Sequence, residues 1–364
     1  MKNITVFFGG RSIEHEISII TGLLTTNSVD KKYNVLPIFV DKKGEFFTGE
    51  SLKNPDFYKN LDYKKIKKVA LIPGSNCIYY LKGKKIKKGE PISCAINCMH
   101  GERGEDGSLS SLLSLCGIAC ASPDALSSSA CMSKSFTKIV LKGLGVPCLP
   151  FSVAEDVVSS LSAEKLNYPL IVKPNTGGSS IGISKVNNRR ELETAVIDAL
   201  SFSKKAIIEP ALENFIEINC ASFKDGDGNI IVSECERPIG KEEVLSFSDK
   251  YECGKREFPA KIEKDLEERI KKTTSRIYKE MNFKGVIRID FFIHNEKIYV
   301  NEINTVPGSL AYYLFCKSTD KFREMLNELI DYAESVFNKE SLLKTTFDSG
   351  IISNLVSKGS KTVK

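Results

Sequence analysis

At 364 residues the chain is long enough for two or three domains with their own cores. A hydrophobic share of 41% beside 27% charged residues excludes a disordered or fibrous chain, and no apolar run approaches a membrane span. The net charge of +6 suits a general preference for anions but is too scattered for nucleic acid, which needs a basic stripe.

The apolar opening Ile4 to Phe8 stops at Gly9-Gly10, too short for a signal sequence, and reads as a strand. SIEHEISIITGLLT follows with helical periodicity, and YNVLPIFVD is a second strand closed by a turn at Gly44. The lysine-rich stretch from about 50 to 90 is poorly patterned and reads as a surface insertion. CAINCMHG is a strand running into a loop, and SLSSLLSLCGI is a helix ending at Gly117. SKSFTKIVLKGLGVP is a helix stopped by glycine and proline. PLIVKP and GISKV are strands around a Gly/Ser loop. KAIIEPAL, IEINCASF and NIIVSECE read as successive strands of a second sheet, with DGDG at 225–228 as a hairpin turn. IEKDLEERIKKTTSRIYKEMNF is a long amphipathic helix. EMLNELIDYAESVFNK is the C-terminal helix, with a frayed tail after 350. Strands alternating with helices point to α/β architecture. Eleven cysteines without a CxxC, beside three histidines, read as buried free thiols in a reducing, cytoplasmic compartment.

Two stretches carry chemistry. RIDFFIHNEKIYVNEIN, Arg288 to Asn304, reads as two β runs around a polar turn at Asn295-Glu296-Lys297. The i, i+2 spacing puts Arg288 with Asp290, and Glu302 with Asn304, on one strand face. If the turn is three residues long, Asp290 lies opposite Glu302 and Arg288 opposite Asn304. Opposed carboxylates destabilise a ladder unless a cation lies between them. Hard cations such as Mg²⁺ take carboxylate and amide oxygens and share their shell with phosphates. A solvated face is the alternative. The loop Thr176-Gly177-Gly178-Ser179-Ser180 offers bare N–H groups and two hydroxyls, the makings of an anion nest, or else a structural turn. It is not a P-loop, since GxxxxGK[ST] is missing. Lys173, at the strand end beside it, is well placed for α- and β-phosphates.

MSKSFTK, VKPNTGGSSIGISKV, IIEP, RIDFF and NEINTVPG, in that order and spacing, resemble the ATP-grasp ligases. VFFGGRSIEHEIS and INCMHGERGEDGSL narrow the resemblance to the D-alanine–D-alanine ligase family, and DKYE at 249–252 falls where that family carries a lysine–tyrosine loop. The resemblance covers most of 1–335 apart from the stretch near 50–90. It implies a three-domain ATP-grasp fold: an N-terminal parallel-sheet domain and two α+β domains clasping ATP. The implied bounds are 1–122 for substrate binding, 123–208 for the phosphate loop, 209–346 for the metal site and lid, and 347–364 for a tail. The implied reaction joins two D-alanines through an acyl phosphate for peptidoglycan precursors. Its implied partners are ATP and D-alanine, in a homodimer with neither nucleic acid nor membrane.

By the same resemblance, Asp290, Glu302 and Asn304 hold two Mg²⁺ ions, with Mn²⁺ as a substitute. Arg288 and the Gly308 N–H stabilise the transferring phosphoryl group and the tetrahedral intermediate. Lys134, Lys173 and Ser180 hold phosphates, Glu209 with the backbone of Ala211 and Leu212 contacts adenine, and Glu217 takes the ribose. Glu14 binds the first D-alanine's ammonium group; an acid placed for the helix dipole is the alternative. His100 lies near that substrate's carboxylate, or is a buried structural histidine. Ser179 and Tyr251 join Glu14 in a chain closing the site, and Lys250 reaches the γ-phosphate from a lid ordered by ATP. Two positions depart from the family. Ser133 replaces an acid before the first phosphate lysine, and SLAYYLFC puts Tyr313 and Leu314 where the second substrate's carboxylate is held. Tyr313 either supplies that hydrogen bond or packs beside Tyr312 and Phe315, leaving Ser309 as donor. The acceptor is therefore D-alanine or another D-amino acid such as D-serine. A non-catalytic nucleotide sensor is the reading from a different class.

Overall fold

The first apolar run becomes β1 (Asn3–Gly9), central in an eight-stranded sheet of a computed structural model that describes residues 1–239 and 255–352. α1 (His15–Ser28) follows, and β2 (Asn34–Val40) pairs parallel with β1. Phe7 and Phe8 point to opposite faces and both are 0% exposed, so both faces are covered, as parallel strands require. Gly22 lets α1 lie close on β1, since a Cβ there would come within 2.2 Å of the Phe8 ring.

The stretch expected as a surface insertion is instead an extension of this sheet. β3 (Phe46–Thr48), β4 (Lys67–Ile72), β5 (Ser75–Lys82) and β6 (Lys85–Pro91) add to β2 one after another, each antiparallel. Their alternation is hard to read because the outer strands have little to bury. β6 is KIKKGEP and almost wholly exposed, and lysines on an edge strand discourage pairing with another chain. On the other side of β1, β7 (Cys94–Asn97) and β8 (Ala119–Cys120) complete the parallel half around α2 (Ser108–Leu115).

α3 (Ala125–Met132) and α4 (Lys134–Gly143) lead to a small antiparallel sheet. It contains β9 (Ser152–Ala154), β10 (Leu170–Pro174), β11 (Ser184–Val186) and β12 (Ala206–Pro210), in the order β11-β10-β12-β9. α5 (Val157–Ser160) and α6 (Arg189–Phe202) belong to this body, whose core gathers Leu170, Val172, Leu192, Val196 and Ile208. KAIIEPAL thus pairs with PLIVKP and not with IEINCASF, because strand pairing follows spatial neighbours, not chain order. The expected boundary at 208/209 falls inside β12. Cys131, Leu141 and Val146 pack into the next body's core, so the segment before β9 belongs there too.

That third body is a sheet of β13 (Ile216–Lys224), β14 (Ile230–Val232), β17 (Ile287–His294) and β18 (Lys297–Asn304), ordered β14-β13-β17-β18. β15 (Arg237–Ile239) pairs with β16 (Lys255–Glu257) as a ribbon, and α7 (Lys264–Glu280) covers one sheet face with Leu266, Ile270 and Ile277. The last helix, α8 (Thr319–Ser341), buries Phe322, Leu326 and Ile330 in a core that also holds Ile4, Val6 and Phe8 of β1. First and third bodies therefore share one core. Among the described residues, no helix is long and apolar enough to cross a membrane.

Candidate active site

The β17–β18 turn is Asn295-Glu296, two residues with φ of 48° and 59°, the type I′ geometry that matches strand twist. A two-residue turn alone leaves Asp290 opposite Asn301. A bulge absorbs Asn301 instead, so Asp290 lies opposite Glu302 and Arg288 opposite Asn304. The bulge also turns two successive side chains, Asn301 and Glu302, toward one cavity. Arg288 donates to both oxygens of Asp290, from Nε at 2.7 Å and Nη2 at 2.9 Å. Asn304 Nδ2 donates to the same carboxylate at 3.1 Å. Asp290 is 1% exposed.

This donor set fits a hard divalent cation. The Asn304 amide turns its NH₂ to Asp290, which leaves its oxygen as an acceptor, and Glu302 stands two residues before it on the same strand face. Asp290 accepts three hydrogen bonds, which leaves one of its roughly four lone-pair positions. Among the described residues no group of three or more His, Cys, Asp or Glu side chains is arranged to hold a metal unaided. A cation held here would need further ligands, which phosphate and water would supply.

Between the small sheet and this hairpin lies a slot. Leu149, Ile171, Ile183, Leu212, Phe215 and Phe292 supply apolar wall, and Lys173, Ser179, Ser180, Lys185, Glu217 and Glu302 supply polar groups. Such a slot suits a flat base carrying phosphates. Lys173 Nζ sits 2.5 Å from one oxygen of Glu209 and donates to Asn301 Oδ1 at 3.1 Å. Lys138 Nζ sits 2.5 Å from the other Glu209 oxygen, and both Lys138 and Glu209 are 1% exposed. Burial pushes the Glu209 carboxyl up, but Lys173 and Lys138 outweigh it and hold the group below its usual value. The Glu209 side chain is thus committed to two lysines and not turned to a base. The Ala211 N–H donates to Pro169 O at 2.9 Å, so any base contact from Ala211 comes from its carbonyl. Ser133 accepts from Phe136 N at 3.4 Å and from Asn175 Nδ2 at 3.0 Å, keeping a cap where an acid was expected. Lys134 Nζ donates to Gly177 O at 2.5 Å, at the phosphate loop. In that loop Gly177, Ser179 and Ser180 take φ of 91°, 57° and 58°, left-handed backbone of the kind that builds anion nests.

Ser179 also donates its hydroxyl to Glu14 Oε1. Glu14 heads α1 without making a cap hydrogen bond and is 7% exposed. Burial raises its carboxyl above the usual value and Glu105 adds to the rise, against His100 and Ser179. His100 is both buried and on the pocket wall. Its Nδ1 lies 3.7 Å from Glu105, and its Nε2 lies 2.8 Å from Thr21 Oγ1. Thr21 Oγ1 also accepts the Ser309 N–H at 3.0 Å, so one hydroxyl ties the His100 ring to the turn at Ser309. The same pocket is lined by Glu217, Arg288, Asn304, Gly308, Ser309 and Tyr313.

Tyr313 lies on that wall with Arg256 stacked at 4.6 Å from its ring centroid, and it meets Tyr312 edge-on at 6.1 Å. Burial raises its phenol, and the Arg288 charge opposes the rise. Leu314, expected beside it in the acceptor pocket, is 2% exposed in the core shared with β1. The cause is a left-handed turn at Ser309, Leu310 and Ala311, with φ of 52°, 50° and 47°, which presents Tyr313 and turns Leu314 inward. Lys250 and Tyr251 lie outside the described residues. Sequence reading missed Thr21, Glu105, Lys138 and Asn301. Lys138 was open to detection, standing one helical turn from Lys134 on the face of α4 that also buries Leu141.

Two antiparallel sheets facing each other across a slot, with lysines on one side and an acid pair on the other, define an ATP-grasp protein. Family models described as the D-ala D-ala ligase N-terminus and C-terminus match residues 3–123 and 140–332. The chain belongs to the D-alanine–D-alanine ligase family. A D-alanine–D-alanine ligase of Thermosipho melanesiensis is 37% identical over 98% of this chain and 100% of its own. The solved D-alanine–D-alanine ligase of Coxiella burnetii superposes with a TM-score of 0.79 at 25% identity, covering 93% of this chain and 96% of that one. A D-Ala:D-Ser ligase of Enterococcus faecalis superposes with a TM-score of 0.78 at 25% identity, covering 91% and 99%.

Proposed function

We propose that this chain joins two D-alanines with ATP, through an acyl phosphate, for peptidoglycan precursor synthesis in the cytoplasm. Family membership supports the reaction. The observation that carries the site is the meeting of Glu14 from the first body, Ser179 from the phosphate loop, and Arg288 and Glu302 from the hairpin on one pocket.

In this reading Glu14, oriented by Ser179, takes the first D-alanine's ammonium group while His100 directs its carboxylate. Lys134, Lys173 and Ser180 fix the nucleotide phosphates, with Glu209 aligning Lys173. The carbonyl of Ala211 and the backbone of Leu212 meet adenine, and Glu217 meets the ribose. Arg288 stabilises the phosphoryl group in transfer and, with the Gly308 N–H, the later oxyanion. Divalent cations, two Mg²⁺ or Mn²⁺, on Asp290, Glu302 and Asn304 neutralise phosphate charge when bound. Lys250 and Tyr251 keep their expected roles at the γ-phosphate and beside Glu14. Tyr313 and Ser309 receive the second substrate's carboxylate. Three bodies correspond to substrate binding, phosphate loop and metal site, and the working state is a homodimer, which sedimentation would test.

Tyr313 and the likeness to a D-Ala:D-Ser ligase support a second reading in which the acceptor is another D-amino acid. Phosphate release with ATP and Mg²⁺, measured across D- and L-amino acids with product mass, separates the two. Release with D-alanine alone and a dipeptide product is the expected result. ATP binding without release for any amino acid would instead identify a sensor.

A further inference from the structure

We infer that Cys220 and Cys235 are an oxidisable pair, which peroxide links as a disulfide behind the wall of the substrate pocket. Backbone pairing brings them together. Asn219 and Glu236 exchange both hydrogen bonds, at 2.8 Å and 2.9 Å, and the two cysteines are the next residues inward on the facing segments. In a regular ladder the residues beside such a pair have Cα atoms about 4.5 Å apart, and a disulfide bridges roughly 4.4–6.8 Å; here the register slips by one residue between Glu236 and Val232, so the two cysteines flank a bulge. Alternation sends Asn219 and Glu236 to the pocket and both thiols to the opposite side, into the core with Ile270 and Ile277. Both are free thiols, and Cys220 Sγ lies 3.8 Å from both the carbonyl and the hydroxyl oxygen of Ser233. The neighbouring Cys235 thiol and the Ser233 hydroxyl hold Cys220 below the usual thiol range against its burial.

The chemistry balances with peroxide as oxidant. The Cys220 thiolate attacks one peroxide oxygen, the O–O bond breaks, and the departing hydroxide takes a proton to leave as water. Cys235 then attacks the sulfenyl sulfur, the S–O bond breaks, and a second water leaves with the Cys235 proton. Two thiols are oxidised and one peroxide is reduced. Cys94, buried, and Cys120, half-buried, in the eight-stranded sheet are an internal comparison. They sit on parallel strands with Cys94 opposite Ala119, offset by one residue.

The test oxidises the full chain with hydrogen peroxide, denatures it in iodoacetamide and maps tryptic peptides by mass. Lys224 lies between the two cysteines, so trypsin places them on separate peptides. The expected result is a linked Cys220–Cys235 peptide pair that dithiothreitol separates, with Cys94 and Cys120 still alkylated. Full alkylation of Cys220 and Cys235, or Cys220 linked to another cysteine, would overturn the proposal. In Cys235→Ser, checked for folding by a cooperative thermal transition, no linked peptide containing Cys220 should form; its persistence would also overturn it. The map is independent of the ligase reading, which fails separately if no state of the protein releases phosphate.

Discussion

Glu14 is an acid asked to stay charged where burial and Glu105 both favour its protonated form. Its folded value is raised, so the carboxylate that receives an ammonium group is lost, as pH falls, earlier than for a carboxyl at the ordinary 4.5. The KM for the first D-alanine should climb on the acid side, beginning above that value. Glu105→Gln removes the second cause of the rise and should move the limb to lower pH, which a KM–pH profile reads directly; an unmoved limb would exclude Glu14 as its source. Lys138→Met leaves Glu209 with one lysine in place of two. The expected cost is about 1–3 kcal/mol of stability, together with a raised KM for ATP because Lys173 loses its alignment. Denaturant unfolding and ATP kinetics measure the two effects, and a stability loss with unchanged ATP kinetics would make Lys138 purely structural. Tyr313→Phe removes a hydroxyl and little else. If the phenol serves the acceptor's carboxylate, the KM for the second substrate should rise by a factor reflecting roughly 1–3 kcal/mol, while that for ATP barely moves.

At the scale of elements, the hairpin carrying the acid pair combines a strained turn with a bulge. Glu296 holds φ of 59°, a conformation costing an L-residue about 1–2 kcal/mol. Glu296→Gly should therefore stabilise the protein by about 0.5–1 kcal/mol after glycine's own entropy loss, with phosphate release unchanged. Chemical denaturation checks the first part, and a loss of activity would mean that the turn sets the position of Glu302. The opposition of Asp290 and Glu302 was legible in the strand spacing, but by way of a longer turn than the one present. A two-residue turn and one extra residue in β18 reach the same register, and only the second solution puts Asn301 on Lys173. The strands β4 to β6 escaped notice for a different reason. A lysine-rich meander at a sheet edge buries too little to show a period of two.

For the whole molecule, the consequence lies in which bodies share a core. β1 and α8 are held in one apolar cluster, which fixes Glu14 and Thr21 relative to the turn at Ser309 and Tyr313. The small body from β9 to β12 has its own core and brings Lys173 and Ser179 to the others mainly through polar contacts. A ligand spanning these bodies binds only the folded arrangement. ATP with Mg²⁺ at a hundred times its Kd should thus add about 2.7 kcal/mol of stability, read as a rise in the unfolding midpoint. Lys173→Met should remove most of that rise while leaving the unliganded chain folded. An equal rise in the variant would move the nucleotide elsewhere.

Sequence by itself determined the chemistry: the acid pair and its register, the lysines, the phosphate loop, and a motif order that belongs to one family. These were legible because each depends on short-range spacing, two residues for a strand face and a few glycines and serines for a loop. Tertiary structure alone decided what those groups do to one another. Glu209 became the clasp of two lysines because Lys138, 71 positions earlier in the chain, folds against it. His100 was tied through Thr21 to a backbone N–H from Ser309, at the other end of the chain. KAIIEPAL joined the small sheet, and Leu314 turned into the core, for the same reason. Strand partners and buried neighbours are chosen by packing between distant segments, which local periodicity does not record.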